Sequence, residues 1–118
     1  MDTYTLVRPE HLNHFGNLFG GQLLKWVDEF AWLVATREFP GCTFVTRAMQ
    51  NVEFRHQVTD GAILRFHCEL AEARTTSVHY VVTVYAQAAA EPEEQVVFRT
   101  QVSFVNIDEG GQKSPVKK

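Results

Sequence analysis

The chain has 118 residues, 45% hydrophobic and 21% charged, with a net charge of −3; this is one domain of ordinary globular composition, able to bury roughly two thirds of its unfolded surface. Two cysteines, Cys42 and Cys68, exclude a disulfide framework and a four-ligand zinc site and read as buried thiols in a reducing compartment. The apolar run 30–35 is far short of a ~20-residue membrane span, no signal-peptide pattern is visible, and the basic residues are scattered, so neither membrane nor nucleic acid is expected as a partner and the expected location is cytoplasmic.

Residues 3–8 have strand composition and stop at Pro9. A polar loop with glycines, 10–21, leads into a helical segment over 20–37, closed by Pro40-Gly41. Residues 43–54 are β-rich with irregular alternation. Clean alternation follows over 62–70 (Ala62, Leu64, Phe66, Cys68 and Leu70 on one face). It recurs over 77–87 (Val78, Tyr80, Val82, Val84, Ala86) and 95–107 (Val96, Phe98, Val102, Phe104). Period two means antiparallel strands with one face on a core. The joints 59–61, 71–75 and 88–94 are short enough for hairpin or meander connections. The order β-α-β-β-β-β predicts an α+β fold: one helix covering the apolar face of an antiparallel sheet of about five strands. The domain spans 1–108, and 109–118 reads as a flexible polar tail.

On a helical wheel of ~100° steps, Leu23, Leu24, Val27, Phe30, Ala31, Val34 and Ala35 form one apolar arc for the sheet. Trp26, Trp32 and Leu33 fall outside it. A second covering surface is therefore expected, either a partner subunit or the N-terminal loop of the same chain. Asp28 lies at the border of the apolar arc, where desolvation raises a carboxyl pKa unless a partner offsets it. That makes it a functional candidate, whereas Glu29 lies on the polar arc with Lys25. Gly20-Gly21 at the helix start leaves backbone N–H groups bare, and with the helix dipole these favour developing negative charge. The P-loop ending is missing, as is a Gly-x-Ser-x-Gly elbow. His11 and His14 with His67 or His79 lack a suitably spaced carboxylate, so no metal is expected.

The pattern Asn13-x-x-Gly16-x-x-Phe19-Gly20-Gly21, with Asp28 following, resembles the active-site signature of hotdog-fold acyl-CoA thioesterases, in particular the bacterial short-chain and animal cytosolic acyl-CoA hydrolases. The likeness continues through Val45-Thr46-Arg47-Ala48, Asn51-Val52-Glu53-Phe54, Thr59-Asp60-Gly61 and Ala73-Arg74-Thr75-Thr76, over about residues 5–108. His11-Leu12 and Glu29-Phe30 depart from the family pattern, and Phe30 and Trp32 are bulky where an acyl tunnel would run.

The resemblance implies hydrolysis of acyl-CoA to free CoA and a carboxylic acid. The Gly20 and Gly21 amides would form the oxyanion hole, Asp28 would be general base or nucleophile, and Asn13 would orient water or carbonyl. Arg74, Thr75 and Thr76 are the first choice for the CoA phosphates, with Arg55 and His56 as further candidates. No cofactor is implied, coenzyme A being part of the substrate. Gly20 and Asp28 are eight residues apart, ~12 Å along a helix. One carbonyl cannot touch both from the same helix, so a site shared within a homodimer is expected, which the family builds further into tetramers or hexamers. The alternatives are a hotdog hydratase or dehydratase and a non-catalytic acyl-CoA binding module.

Overall fold

The computed structural model describes residues 1–117. Strand β1 (Asp2–Leu6) is followed by a 3-10 turn (Pro9–His11) and helix α1 (Gly20–Glu38). Four long strands complete the chain: β2 (Phe44–Phe54), β3 (Ile63–Ala73), β4 (Ser77–Gln87) and β5 (Gln95–Asn106). They form one antiparallel sheet in the order β1-β3-β4-β5-β2. One helix against five antiparallel strands is the architecture that the patterning predicts.

The core lies between α1 and one face of the sheet. Leu23, Val27, Ala31, Val34 and Ala35 are buried on the helix, opposite Leu64, Phe66, Val78, Tyr80, Val82, Val84, Phe98, Val102 and Phe104. Each such large apolar side chain contributes roughly 1.5–3 kcal/mol on burial. Phe30, also in the predicted arc, meets the Phe66 ring edge-on at 4.9 Å. At the helix C-terminus, the Tyr80 hydroxyl donates to Glu38 Oε1 at 2.6 Å, fastening α1 to β4.

Four local expectations are corrected. The turn at 59–61 is not a hairpin, because β2 pairs with β5 and β3 with β1 and β4. Instead residues 55–62 cross the end of the sheet, where the Leu18 amide donates to Val58 O at 2.7 Å and the Gly61 amide to Val7 O at 2.9 Å. The β4–β5 register shifts between Val84↔Phe98 and Tyr85↔Val96. This bulge buries Val97 beside Phe98 and leaves Val96 only half-buried, since the extra residue reverses the alternation. Strand β3 runs on to Ala73 through a register shift after Leu70, which is exposed rather than core-facing. Residues 109–117 fold back onto the sheet end: the Val116 amide donates to Thr75 O at 2.8 Å and Asn106 Nδ2 donates to Ser114 and Pro115 carbonyls. Lys118, the last residue of the expected tail, lies outside the described residues.

The tryptophans divide. Trp26 is covered by its own chain, with His11 edge-on at 4.7 Å and Phe66 at 6.3 Å. Trp32 and Leu33 stay exposed. The Trp32 indole is nevertheless fixed, its Nε1 donating to Phe44 O at 3.0 Å.

Candidate active site

The loop before α1 is built around Asn13. Its side-chain Oδ1 accepts the amides of Phe15 (2.9 Å) and Asn17 (3.2 Å), and its own amide donates to Asn17 O at 2.7 Å. Gly16 adopts φ +85°, the left-handed conformation the reversal requires. This delivers Phe19 as N-cap without any side-chain cap. Gln22 and Leu23 donate to Phe19 O, while the Gly20 and Gly21 amides have no hydrogen-bond partner among the described residues. Two donors are thus left at the positive end of the helix.

Gly20 lies at a cleft of about 400 Å³. Asn13, Gly20, Arg55 and His56 line it together with an apolar wall that includes Leu23 and Phe54. The structure therefore brings four of the candidate residues to one place. Gly21 lies next to Gly20 on the exposed side, with Phe19 packed over it.

Asp28 is elsewhere. It is half-buried two turns further along α1, outside the cleft, and its Oδ1 accepts a 2.6 Å hydrogen bond from Thr46 Oγ1 on β2. Thr46 is a residue that the sequence reasoning quoted within 45–48 but gave no role. The only signal was a hydroxyl in that matched stretch, because the contact joins positions 18 residues apart.

The proposed phosphate ligands also separate. Arg55, next to the cleft, is paired with Glu53. Arg74, Thr75 and Thr76 form the β3–β4 turn at the opposite end of the sheet, beyond the Ala73↔Val78 pair. There Arg74 Nε lies 3.1 Å from Glu72, and this hydrogen bond holds the Glu72 carboxyl below its usual range. The Thr75 and Thr76 carbonyls accept from Val116 and Asn106.

Other candidate groups are accounted for structurally. Burial pushes the Cys68 thiol up to about 11, so it stays protonated and is a poor nucleophile. His67 pairs with Asp2 at 2.6 Å. His79 is held between Ser77 (3.1 Å) and Ser103 (2.8 Å), with its pKa lowered by burial and by Arg74. Among the described residues no metal-ligating cluster of three or more side chains converges. Among the described residues no helix is long and apolar enough to cross a membrane.

Among the described residues the outer edge of β2 pairs with no strand. Val45, Val52 and Phe54 are exposed along it, as are Trp32 and Leu33 on the helix. A long open edge flanked by large apolar side chains is a template for pairing.

The model of the thioesterase superfamily matches residues 15–93. The chain belongs to this superfamily. Its helix wrapped by a five-stranded antiparallel sheet is the hotdog fold. The protein named acyl-coenzyme A thioesterase 11 of Mus musculus is 33% identical over 100 residues, covering 85% of this chain and 17% of that protein. The chain thus spans about a sixth of the length of that curated relative. Among solved structures, the acyl-CoA hydrolase of Staphylococcus aureus in complex with butyryl coenzyme A, coenzyme A and coenzyme A disulfide aligns with a TM-score of 0.89 and 26% identity, over 99% of this chain and 71% of that one. Variants of that enzyme with an asparagine, an aspartate or a threonine replaced by alanine, in that chain order, have the same fold. An apo hexameric acyl-CoA thioesterase aligns with a TM-score of 0.90 and 28% identity, over 99% of this chain and 74% of that one.

Proposed function

We propose that this chain is an acyl-CoA thioester hydrolase whose active sites are shared between two copies. The observation that carries the reading is the separation of complementary groups. The bare Gly20 and Gly21 amides and Asn13 sit at one end of β2, and the Asp28–Thr46 pair sits towards the other. Antiparallel pairing of two β2 edges about a twofold near Gln50 would set Thr46 and Asp28 of one copy against the Phe54 end of its partner, beside the partner's glycine amides. Both parts of the site would then face one carbonyl, twice per dimer. The relatives support this: an asparagine, an aspartate and a threonine were chosen for substitution in the Staphylococcus aureus enzyme, and Asn13, Asp28 and Thr46 stand in the same order here. Three such dimers would make the hexamer that one related enzyme forms.

In this reading the thioester oxygen accepts from the Gly20 and Gly21 amides, which stabilise the oxyanion as it forms; losing one such donor typically costs a factor of ~10²–10³. Thr46 holds Asp28 Oδ1, which leaves Oδ2 to take a proton from water as its oxygen attacks the carbonyl carbon. The tetrahedral intermediate collapses by breaking the C–S bond. The CoA sulfur leaves and takes up the proton, and the acyl group departs as a carboxylic acid. Arg55 and His56 from the cleft side, and Arg74, Thr75 and Thr76 from the β3–β4 turn of another copy, are the groups offered to the phosphates of CoA.

Complementation tests this reading. Asn13→Ala and Asp28→Asn proteins, assayed separately for thiol release from acyl-CoA, should each lose kcat, Asp28→Asn by ~10²–10⁴-fold, the usual worth of a positioned base. Mixed and reassembled, they should recover part of the wild-type rate, because half-sites from different chains then combine. No recovery on mixing, or full activity in Asp28→Asn alone, would rule out the shared site.

A further inference from the structure

Phe54 occupies an unusual position. It is the last residue of the edge strand β2, and 53% of it is exposed although it lines the cleft. Its ring is pinned on two sides. Phe98 of the core lies 4.9 Å away, centroid to centroid, and a Cβ on Gly20 would come within 3.4 Å of Phe54 Cζ. It therefore cannot swing into the core or across the helix start. The cleft is two-sided in character, with Asn13, Arg55 and His56 at its polar rim and Leu18, Leu23 and Val58 beside Phe54 on the apolar side. A thioester is two-sided in the same sense, with a polar pantetheine arm and an apolar acyl arm meeting at the carbonyl.

We propose that the Phe54 ring is the stop against which the acyl arm ends, setting the length of acyl chain that the site accepts. The inference rests on the hydrolase reading above and adds to it the residue that sets the substrate class. A carbonyl held by the Gly20 amide lies one side chain away from this ring. The ring packs against Gly20 itself and continues the apolar wall of Leu18, Leu23 and Val58, so an acyl arm leaving that carbonyl along this wall runs into it.

The test is the ratio of kcat/KM for myristoyl-CoA to that for butyryl-CoA, measured on wild type, Phe54→Leu and Phe54→Ala. A hydrophobic pocket discriminates by roughly 10–200-fold per misfitting methylene, so the ratio should favour butyryl-CoA in the wild type and rise at least ~10-fold in Phe54→Ala. Phe54→Leu should fall between them, and it carries the test if the alanine variant fails to melt cooperatively. A ratio unchanged in folded variants, or a wild type that prefers myristoyl-CoA, overturns the assignment of Phe54 while leaving hydrolysis standing. Release of thiol from neither substrate overturns the hydrolase reading and this inference with it.

Discussion

Strands β2 and β4 have the same length, 11 residues, and opposite situations. Strand β4 is paired on both sides, and its core-facing residues Val78, Tyr80, Val82 and Val84 are completely buried. Strand β2 is paired on one side only, and apart from Phe44 none of its residues is fully buried. One strand is finished within a single chain and the other is not. Thr46 and Phe54, to which the proposed function gives a part, lie on the unfinished strand, and Arg55 and His56 directly follow it. On the proposed function, stability and chemistry are divided between strands, and the chemistry would lie where a second copy can supply what is missing.

That division can be broken from the β4 side first. Tyr80→Ala should cost about 3–5 kcal/mol, as truncation of a buried aromatic does, read from the urea midpoint at unchanged slope. A loss below ~1 kcal/mol, smaller than ordinary core truncations, would mean that β4 is not the stabilising strand. On β2 the effect should appear in rate instead. Thr46→Val removes the hydrogen bond to Asp28, and bonds to charged groups are worth roughly 1.5–3 kcal/mol. The expected result is a ~10–100-fold fall in kcat with little change in melting temperature. A destabilised but fully active variant would place Thr46 with the structural residues. The smallest expected effect on chain stability is that of Val52→Lys, within about 0.5 kcal/mol as for most surface changes. A charge on an open edge opposes edge pairing, so light scattering should nevertheless report a smaller assembly. An unchanged assembly mass would show that the β2 edge is not where copies meet.

The legible parts of this molecule were those written locally. The alternation over 62–70 and 77–87 identified β3 and β4 because each residue's face follows from its own position. The bulge at Val97 escaped because a single extra residue reverses that parity without any turn signal. The neighbour of β2 escaped because pairing with β5 joins distant segments, whereas the short 59–61 joint argued for the adjacent strand. Within the site, the glycine amides and the loop of Asn13 were readable as a helix start. The grouping of Arg55 and His56 with them, and the hydrogen bond from Thr46 to Asp28, depend on which end of the sheet each residue reaches. The wheel leaves open whether a partner or the N-terminal loop covers Trp26, because it has no place for residues outside the helix; the cover is the loop's His11.

The way Asn13 is used by its own loop has a chemical corollary. With the amide oxygen already engaged by two main-chain N–H groups, the carboxamide cannot rotate by half a turn without losing both. Its NH₂ is therefore the end turned outward, and the residue can offer a guest only protons, never a lone pair. An aspartate of the same shape would still satisfy the loop, yet it would greet an approaching carbonyl or phosphate with charge of the wrong sign.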